Sequence, residues 1–299
     1  LLKNKNIKVL NRTSVAAYHN YNYLIMMQNL TDHLNENDKK NKIRQRLWKV
    51  RAKKVILATG SIERPMIFDC NDRPGIMLSS AVRKYLNHYG VKCGNNVVIF
   101  SNNDDSYETA LSLHAKGVKI KAIVDIRKES NGELVKKCMD LGIKIMWKHT
   151  VVKAEGHKKI NAVIIMKLSN ENNSIVGDKV KISCDLLCVS SGYTPAVHLF
   201  TQSGGKLAFD EKKFYFYPEK TSLDQLSVGA CAGIFNLKKI FQDTYIKVNT
   251  FLKTNIKNET IVTDYKSGGF ENIWLLPSNK ISGKTKSFVD FQNDSTAND

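Results

Sequence analysis

Three short apolar runs in the sequence end in small residues, and these endings are where the chain could bind a ligand. They are Ala58-Thr59-Gly60, Ser190-Ser191-Gly192 and Val228-Gly229-Ala230. Short, continuous apolar runs are typical of buried parallel strands, and ligands of open α/β sheets bind at the carboxyl ends of such strands. Glycine at a strand end lets the backbone approach a phosphate or a ribose closely. The three endings therefore predict a nucleotide site.

A strand, a helix and a second strand lie between the first two endings. The hydrophobic pattern predicts a strand at 96–100, a helix at 104–116 and a strand at 120–126, which together have the length of a βαβ unit. A helix at 132–141, a strand at 143–147 and an antiparallel meander at 151–154, 160–168 and 180–183 follow. Elsewhere the pattern predicts strands at 7–10, 23–27, 46–52, 55–58, 186–189 and 226–230, helices at 79–89 and 237–251, and a helix start at Asp294-Ser295-Thr296.

The first turn of the βαβ unit lacks the glycine fingerprint of dinucleotide-binding proteins. It reads Phe100-Ser101-Asn102-Asn103-Asp104-Asp105-Ser106-Tyr107, with no G-x-G-x-x-G. Asp104 and Asp105 at a helix start would repel a pyrophosphate and would themselves complement the helix dipole. The turn favours a structural role for this unit.

Five segments resemble the alpha subunit of heterotetrameric sarcosine oxidase, in order and at similar spacing along nearly the whole chain. They are VILATGSIERP from Val55, NDRPGIM from Asn71, FSNNDD from Phe100, SGYTPAVHLFTQSGGKL from Ser191 and FVDFQND from Phe288. The resemblance implies an α/β chain with a two-lobed, disulfide-reductase-like FAD/NAD(P)-binding Rossmann fold. The first lobe would be incomplete, with the second βαβ domain and the meander inserted into it.

The resemblance also implies a function. Enzymes of this family demethylate sarcosine oxidatively to glycine, form hydrogen peroxide and pass the one-carbon unit to tetrahydrofolate. The alpha subunit holds NAD non-catalytically, the beta subunit holds FAD and FMN, a C-terminal aminomethyltransferase-like domain of the alpha subunit binds folate, and gamma and delta subunits complete the complex. A first strand with a glycine-rich loop is then expected before Leu1, and the folate domain after Asp299.

The predicted domains are a partial first lobe at 1–90, an inserted second lobe at 91–185, a return to the first lobe at 186–254, and a linker with the start of a small helical domain at 255–299. The predicted cofactor-binding residues are Ala58, Thr59, Gly60, Ser61, Arg64, Gly192, Tyr193, Gly229 and Ala230. No catalytic group and no metal ligand is predicted. Because many flavin lobes end their last strand in Gly-Asp, whose carboxylate accepts a bond from the flavin, Gly229-Ala230 favours NAD over FAD.

The composition bears on the partners, the location and the cysteine chemistry of the protein. The 46 Lys and Arg residues against 28 Asp and Glu give a net charge of +18, but the charge is mostly lysine and spread along the chain, so no nucleic-acid partner is expected. The sequence contains no run of 18 apolar residues, so no membrane span is predicted. A cytoplasmic location is expected. The six cysteines form no C-x-x-C pair, which favours buried free thiols.

Two other readings stay open. The chain could be a subunit of a related opine or amine dehydrogenase, or of a cyanide-forming glycine oxidase. Related dehydrogenase subunits carry iron–sulfur cysteines in the final stretch, and residues 288–294 contain no cysteine. It could also be a non-enzymatic scaffold whose dinucleotide site has decayed, as the turn at Asn102-Asn103-Asp104-Asp105 indicates.

Overall fold

The computed structural model describes residues 4–257, 269–277 and 286–299. The strands are β1 Thr13–His19, β2 Tyr23–Asn29, β3 Gln45–Arg51, β4 Val55–Leu57, β5 Ser61–Glu63, β6 Ile76–Leu78, β7 Asn96–Ser101, β8 Lys119–Asp125, β9 Ile145–Trp147, β10 His149–Gly156, β11 Ile160–Leu168, β12 Ile175–Ser183, β13 Leu186–Ser190, β14 Tyr193–Pro195, β15 Lys206–Asp210, β16 Tyr215–Lys220, β17 Gln225–Ser227, β18 Phe288–Asp290 and β19 Ser295–Thr296. The helices are α1 Glu36–Lys39, α2 Ser79–Tyr89, α3 Asp105–His114, α4 Glu133–Asp140, α5 His198–Gln202 and α6 Leu237–Leu252. Among the described residues, no helix is long and apolar enough to cross a membrane.

The described chain divides into two compact units. The first contains residues 4–61 and 194–257, and the second contains residues 62–193, 269–277 and 286–299. The sequence had placed the boundaries at 90/91 and 185/186. The difference arises because β6 hydrogen-bonds in parallel to β13 and α2 packs on α3, so both elements join the second unit.

A parallel sheet forms the centre of the second unit, with strand order β6-β13-β7-β8-β9. Strands β7 and β13 are mostly apolar and are buried along nearly their whole length, as expected of strands covered on both faces. One face packs on the helices through a cluster that includes Val82, Tyr107 and Leu113. The other face packs on the antiparallel sheet β10-β11-β12 through a cluster that includes Phe100 and Ile165. The βαβ unit and the meander are as the sequence predicted.

The first unit combines the antiparallel sheet β1-β2-β3, the parallel pair β4-β17 and the hairpin β15-β16. The main core cluster among its described residues is formed by the buried side chains of Tyr18, Leu24, Val55, Leu57, Phe200 and Cys231. The Tyr18 hydroxyl donates to Asn22 Oδ1 over 2.7 Å, and Asn22 Nδ2 donates to the carbonyl groups of Lys53 and Asp224. Asn22 thereby joins the antiparallel sheet to the residues just before β4 and β17. Burial raises the pKa of Tyr18 to about 12.

Three predicted elements are wrong. Residues 7–10 form no strand, and the first strand is β1. The strand predicted at 226–230 ends at Ser227, because Gly229 has a left-handed φ of 70° and begins a 3-10 turn at Gly229–Ala232. The helix start at Asp294-Ser295-Thr296 is instead the turn and second strand of the β18-β19 hairpin. Of the predicted linker, residues 258–268 and 278–285 lie outside the described part, and 269–277 and 286–299 contain no helix.

Glu63 stabilises the start of helix α2. Leu78, at the cap position, makes no side-chain cap bond, and Glu63 Oε2 accepts the Ser80 amide over 2.8 Å. The Glu63 side chain is buried, and burial raises the pKa of its carboxyl, while the Ser190 hydroxyl and the Ser80 hydroxyl and amide oppose that rise. The helix start therefore depends on a carboxyl that favours its neutral form more than it does in water.

The change Glu63→Gln tests this dependence. Because the folded-state pKa of Glu63 is raised, the folded chain holds a proton that the unfolded chain releases, and this contribution to stability falls as the pH rises above the ordinary carboxyl range. Glutamine keeps an acceptor for the Ser80 amide and does not titrate. In urea unfolding across the acid to neutral range, we expect the variant to gain stability relative to the wild type as the pH rises. Glu133→Gln, which removes an exposed carboxyl paired with Lys137, is the control, and equal slopes for Glu63→Gln and wild type would contradict the assignment.

Candidate dinucleotide site

Two of the three predicted strand ends lie side by side in the first unit. Strands β4 and β17 run in parallel with Leu57 opposite Ser227. The Val228 amide donates to the Leu57 carbonyl over 3.0 Å, which keeps the two chains paired at the point where they leave the sheet. Ala58-Thr59-Gly60 and Val228-Gly229-Ala230 therefore follow from the same edge, as the sequence predicted for a nucleotide site.

The backbone at the β4 end is open. Ala58 and Thr59 are exposed, and a Cβ built on Gly60, whose φ is 77°, would meet no atom within 4 Å. The Thr59 hydroxyl donates to the Ala196 carbonyl over 2.7 Å, and the Ala196 amide donates to the Gly60 carbonyl over 3.0 Å. These bonds fix the path of the segment between β4 and Ser61 while leaving the Gly60 surface clear. A phosphate or ribose can approach such a backbone closely.

The third predicted end belongs to the second unit and is covered. A Cβ on Gly192 would lie 2.5 Å from the Phe270 ring and 3.4 Å from Arg64 Nη2. The Arg64 guanidinium lies over the Phe270 ring at 5.7 Å, and Arg64 Nε donates to the Ser191 carbonyl. Arg64 and Gly192 therefore contact each other and Phe270. Both residues thus have packing contacts within the second unit.

Tyr193 is held at the start of helix α3. Its hydroxyl donates to Asp105 Oδ2 over 2.6 Å, and Arg83 Nη2 donates to both oxygens of the same carboxylate over 3.1 Å. Burial and the Asp105 charge raise the pKa of Tyr193, so the phenol stays protonated. Its hydrogen-bonding group is already engaged by Asp105 and therefore has a structural partner.

The β7–α3 turn is filled by the chain itself. Residues 269–277, which we call the strap, lie across the carboxyl ends of β7 and β8. Asn102 Nδ2 donates to the Glu271 and Ile273 carbonyl groups over 2.8 and 3.1 Å, and the Glu271 amide donates back to the Asn102 carbonyl. Asn103 Nδ2 donates to Ser190 Oγ over 3.0 Å. The position at which a dinucleotide-binding turn would offer its amides to a pyrophosphate is thus taken.

A buried ion cluster occupies the place of the ribose acceptor. In Rossmann units an acidic residue about 20 positions after the glycines, near the end of the second strand, binds the ribose hydroxyls, and here Asp125 stands at the end of β8. Arg127 Nη2 donates to Asp125 Oδ2 over 2.7 Å, and Arg127 Nη1 donates to Asp104 Oδ1 over 2.7 Å. The Tyr107 hydroxyl donates to Asp125 Oδ2 over 2.7 Å. Both carboxylates are consumed inside the protein, so this edge of the second unit is a structural network.

Sequence reasoning missed Arg127, Glu63 and the strap. Arg127 had a detectable signal, because two adjacent acids in the turn and an acid two residues before an arginine require a cationic partner if they are buried. The strap had none, because it is bound largely through backbone carbonyl and amide groups. Its contacts reach across more than 140 positions in the chain, as between Arg127 and Gly269.

The cysteines carry no disulfide chemistry in this structure. All six are free, and Cys138, Cys184, Cys188 and Cys231 are buried. Burial raises the pKa of the Cys138 and Cys184 thiols to about 12. Thiols in this state are poor nucleophiles, so a dithiol reaction is not supported by these residues.

Curated relatives confirm the resemblance drawn from the motifs. The chain is 33% identical to the sarcosine oxidase subunit alpha of Corynebacterium sp. strain P-1 over 97% of this chain and 30% of that protein. It is 29% identical to the subunit of the same name from Rhizobium meliloti strain 1021, over 97% of this chain and 28% of that protein. The chain thus spans about a third of the length of these relatives.

Solved structures confirm the predicted fold class. L-proline dehydrogenase from P. horikoshii superposes with a TM-score of 0.54 at 19% identity, over 85% of this chain and 43% of that chain. The flavoprotein disulfide reductase RclA from Escherichia coli superposes with a TM-score of 0.53 at 16% identity, over 80% and 49%. Residues 9–225 match the sequence profile described as pyridine nucleotide-disulphide oxidoreductase. The chain belongs to the pyridine nucleotide-disulphide oxidoreductase family.

Proposed function

We propose that this chain is the NAD-holding part of the alpha subunit of a sarcosine-oxidase-like flavoenzyme. In this proposal the complex demethylates sarcosine to glycine in the cytoplasm, forms hydrogen peroxide and passes the one-carbon unit to tetrahydrofolate. FAD and FMN belong to the beta subunit, gamma and delta subunits complete the assembly, and tetrahydrofolate binds a C-terminal domain. The relatives named sarcosine oxidase subunit alpha support the assignment.

The contrast between the two units carries the NAD assignment. The β4 and β17 ends in the first unit are adjacent, and Gly60 leaves its side open to a ligand. The equivalent edge in the second unit is filled by the Arg127 cluster and the strap. A single dinucleotide therefore has one backbone cradle to use. Ala58, Thr59, Gly60, Ser61, Gly229 and Ala230 are the residues we place nearest to it.

Ala230 supports NAD rather than a flavin at this place. Its side chain offers no acceptor to a ribityl hydroxyl, and it lies on the 3-10 turn that follows β17, the strand paired with β4. In this proposal NAD is bound without taking part in the reaction, and the flavins of the complex carry out the redox steps. Arg64, Gly192 and Tyr193, which the sequence also predicts as cofactor-binding residues, contact other residues of the second unit.

Two alternatives have their own tests. A related opine or amine dehydrogenase, or a cyanide-forming glycine oxidase, would share this fold, and turnover of the complete enzyme on sarcosine against glycine and an opine separates them. The closed edge of the second unit favours a third candidate, a scaffold without nucleotide. Calorimetry of the full-length protein with NAD decides this case, because a scaffold releases no heat and purifies without nucleotide.

The change Ala230→Asp tests the NAD site. A carboxylate at the β17 end would oppose the negative pyrophosphate, so we expect NAD to bind the full-length protein more weakly by about tenfold or more, or about 1.4 kcal/mol. Isothermal calorimetry measures the change. Asn170→Asp in the β11–β12 loop adds the same charge and is the control. Unchanged NAD affinity in Ala230→Asp, or a newly retained flavin, would contradict the assignment.

The change Arg127→Met tests the structural role of the second unit. It leaves Asp125 buried beside Asp104 without a cation, which costs about 3–5 kcal/mol of unfolding free energy. Urea unfolding measures this loss. Lys247→Met, which breaks a partly exposed pair with Asp243, should change stability by less than about 1 kcal/mol. NAD affinity of the folded fraction should stay the same. Loss of NAD binding in folded Arg127→Met protein would contradict the proposal and indicate that the dinucleotide binds the second unit.

A further inference from the structure

One face of the antiparallel sheet in the first unit has no covering layer among the described residues. We call it the outer face. Residues directly opposite each other in a sheet share a face, and the register pairs Tyr23 with Arg51, Ile25 with Lys49 and Met27 with Leu47. Together with Ala17 and His19 of β1, which lie opposite Ile25 and Tyr23, these side chains define the outer face. None of them is buried, and Leu47 is 52% exposed.

The sequence of β2 is that of a strand covered on both faces. Tyr23-Leu24-Ile25-Met26-Met27 is apolar at five consecutive positions, whereas a strand with one solvated face alternates apolar and polar residues. Leu24 is buried in the core of the unit. Ile25 and Met27, on the outer face, are only half-buried. The apolar pattern therefore requires a partner for the outer face that the described part of the chain does not supply.

The outer face is positively charged, and the strands of its sheet contain no acidic residue that would balance the charge. Strands β1, β2 and β3 contain no Asp or Glu, while Lys49 and Arg51 stand on the outer face and the Arg51 guanidinium lies over the Tyr23 ring at 5.9 Å. Residues 1–61 contain 13 Lys and Arg and 3 Asp and Glu, and four of the eight arginines of the chain are Arg12, Arg44, Arg46 and Arg51. The two ion pairs described in this stretch, Arg44–Asp32 and Lys39–Glu36, lie in the β2–β3 connection.

We propose that the outer face docks a surface of another subunit that presents carboxylates around an apolar patch. The apolar centre of Ile25, Met27 and Leu47 with flanking cations and an aromatic ring has the composition of a protein interface, in which arginine and aromatic residues carry much of the binding energy. The proposal rests on the proposed function only in taking the chain to be one subunit of several.

Two other occupants fit less well. A nucleic acid would meet Lys49 and Arg51 but would leave Ile25, Met27 and Leu47 without an apolar complement. A second copy of this chain, placed by a two-fold axis, would bring Lys49 and Arg51 of both copies to the same interface without any carboxylate between them. An acidic surface of a different polypeptide satisfies both the charge and the apolar pattern.

Zero-length carbodiimide cross-linking of the native complex identifies the occupant. This reagent joins a lysine ammonium to a carboxylate in direct contact, and peptide mass spectrometry locates the link. We expect Lys49 to be joined to an Asp or Glu of a different polypeptide. A link to a carboxylate of the same chain or of a second copy, or a Lys49 that acetylates equally fast in the complex and in the separated chain, would overturn the proposal.

The double change Lys49→Glu with Arg51→Glu measures the contribution of the charges. In the full-length subunit we expect the amount of co-purifying partner subunit to fall by more than about tenfold, because like charges are brought together, and NAD affinity to stay unchanged. Lys92→Glu with Lys116→Glu makes the same charge change at exposed lysines of the second unit and should leave the complex intact.

A charge swap keeps the test independent of folding. Changing the cross-linked Asp or Glu of the partner to Lys should restore assembly with the Lys49→Glu, Arg51→Glu subunit. Assembly that survives the double change, or that is lost and not restored by the swap, would refute the outer face as the docking surface. Loss of NAD binding with assembly retained would refute the outer face as the docking surface, whereas a wild-type subunit that assembles but binds no NAD would contradict only the proposed function.

Discussion

The Arg127 ion cluster determines what the second unit can be. A guanidinium that is almost fully buried needs anionic partners, and here it takes them from the turn after β7 and from the end of β8. Those are the two positions that a Rossmann unit normally offers to its ligand. Asp104 and Asp125 are engaged by Arg127, and the sheet keeps its βαβ geometry with the turn occupied by the chain's own residues.

The described part of the first unit has shorter parallel strands than the centre of the sheet in the second unit, and a smaller core cluster. Its parallel pair has three residues in each strand, and the main core cluster among its described residues has six buried side chains. Asn22 compensates for part of this by bonding two backbone carbonyl groups that are 171 positions apart in the chain, at Lys53 and Asp224. An amide has the two N–H groups that such a link requires, and its left-handed φ of 52° is one that asparagine adopts more readily than most residues.

The sequence predicted those elements in which the hydrophobic period and the residues that end the element indicate the same structure. Helix α2 ends at Gly90, which has the left-handed φ expected of a closing glycine. Strands β7 and β13 contain apolar runs of the expected length. The strand at 226–230 was overestimated, because an apolar run does not reveal that Gly229 turns the chain. The hairpin at Ser295–Thr296 was mistaken for a helix start, because Asp, Ser and Thr favour both turns and helix caps.

The candidate site was predictable only in part, for a related reason. Small residues at strand ends identify edges at which a ligand could bind, and the edges at Gly60 and Gly229 are adjacent as expected. Whether an edge is open depends on distant residues. Gly192 has the same local pattern as Gly60, yet Phe270, which is 78 positions later in the sequence, lies against it. No local pattern contains that information.

The way in which Asn102 holds the strap has a consequence for sequence divergence. Its amide bonds the carbonyl oxygens of residues 271 and 273, and its own carbonyl accepts the amide of residue 271. Main-chain groups are the same whatever side chain they carry, so these hydrogen bonds depend on the backbone path of the strap and not on its amino-acid sequence. Homologous chains could therefore close the same edge with strap sequences that show no visible similarity, as long as an amide side chain remains at the position of Asn102.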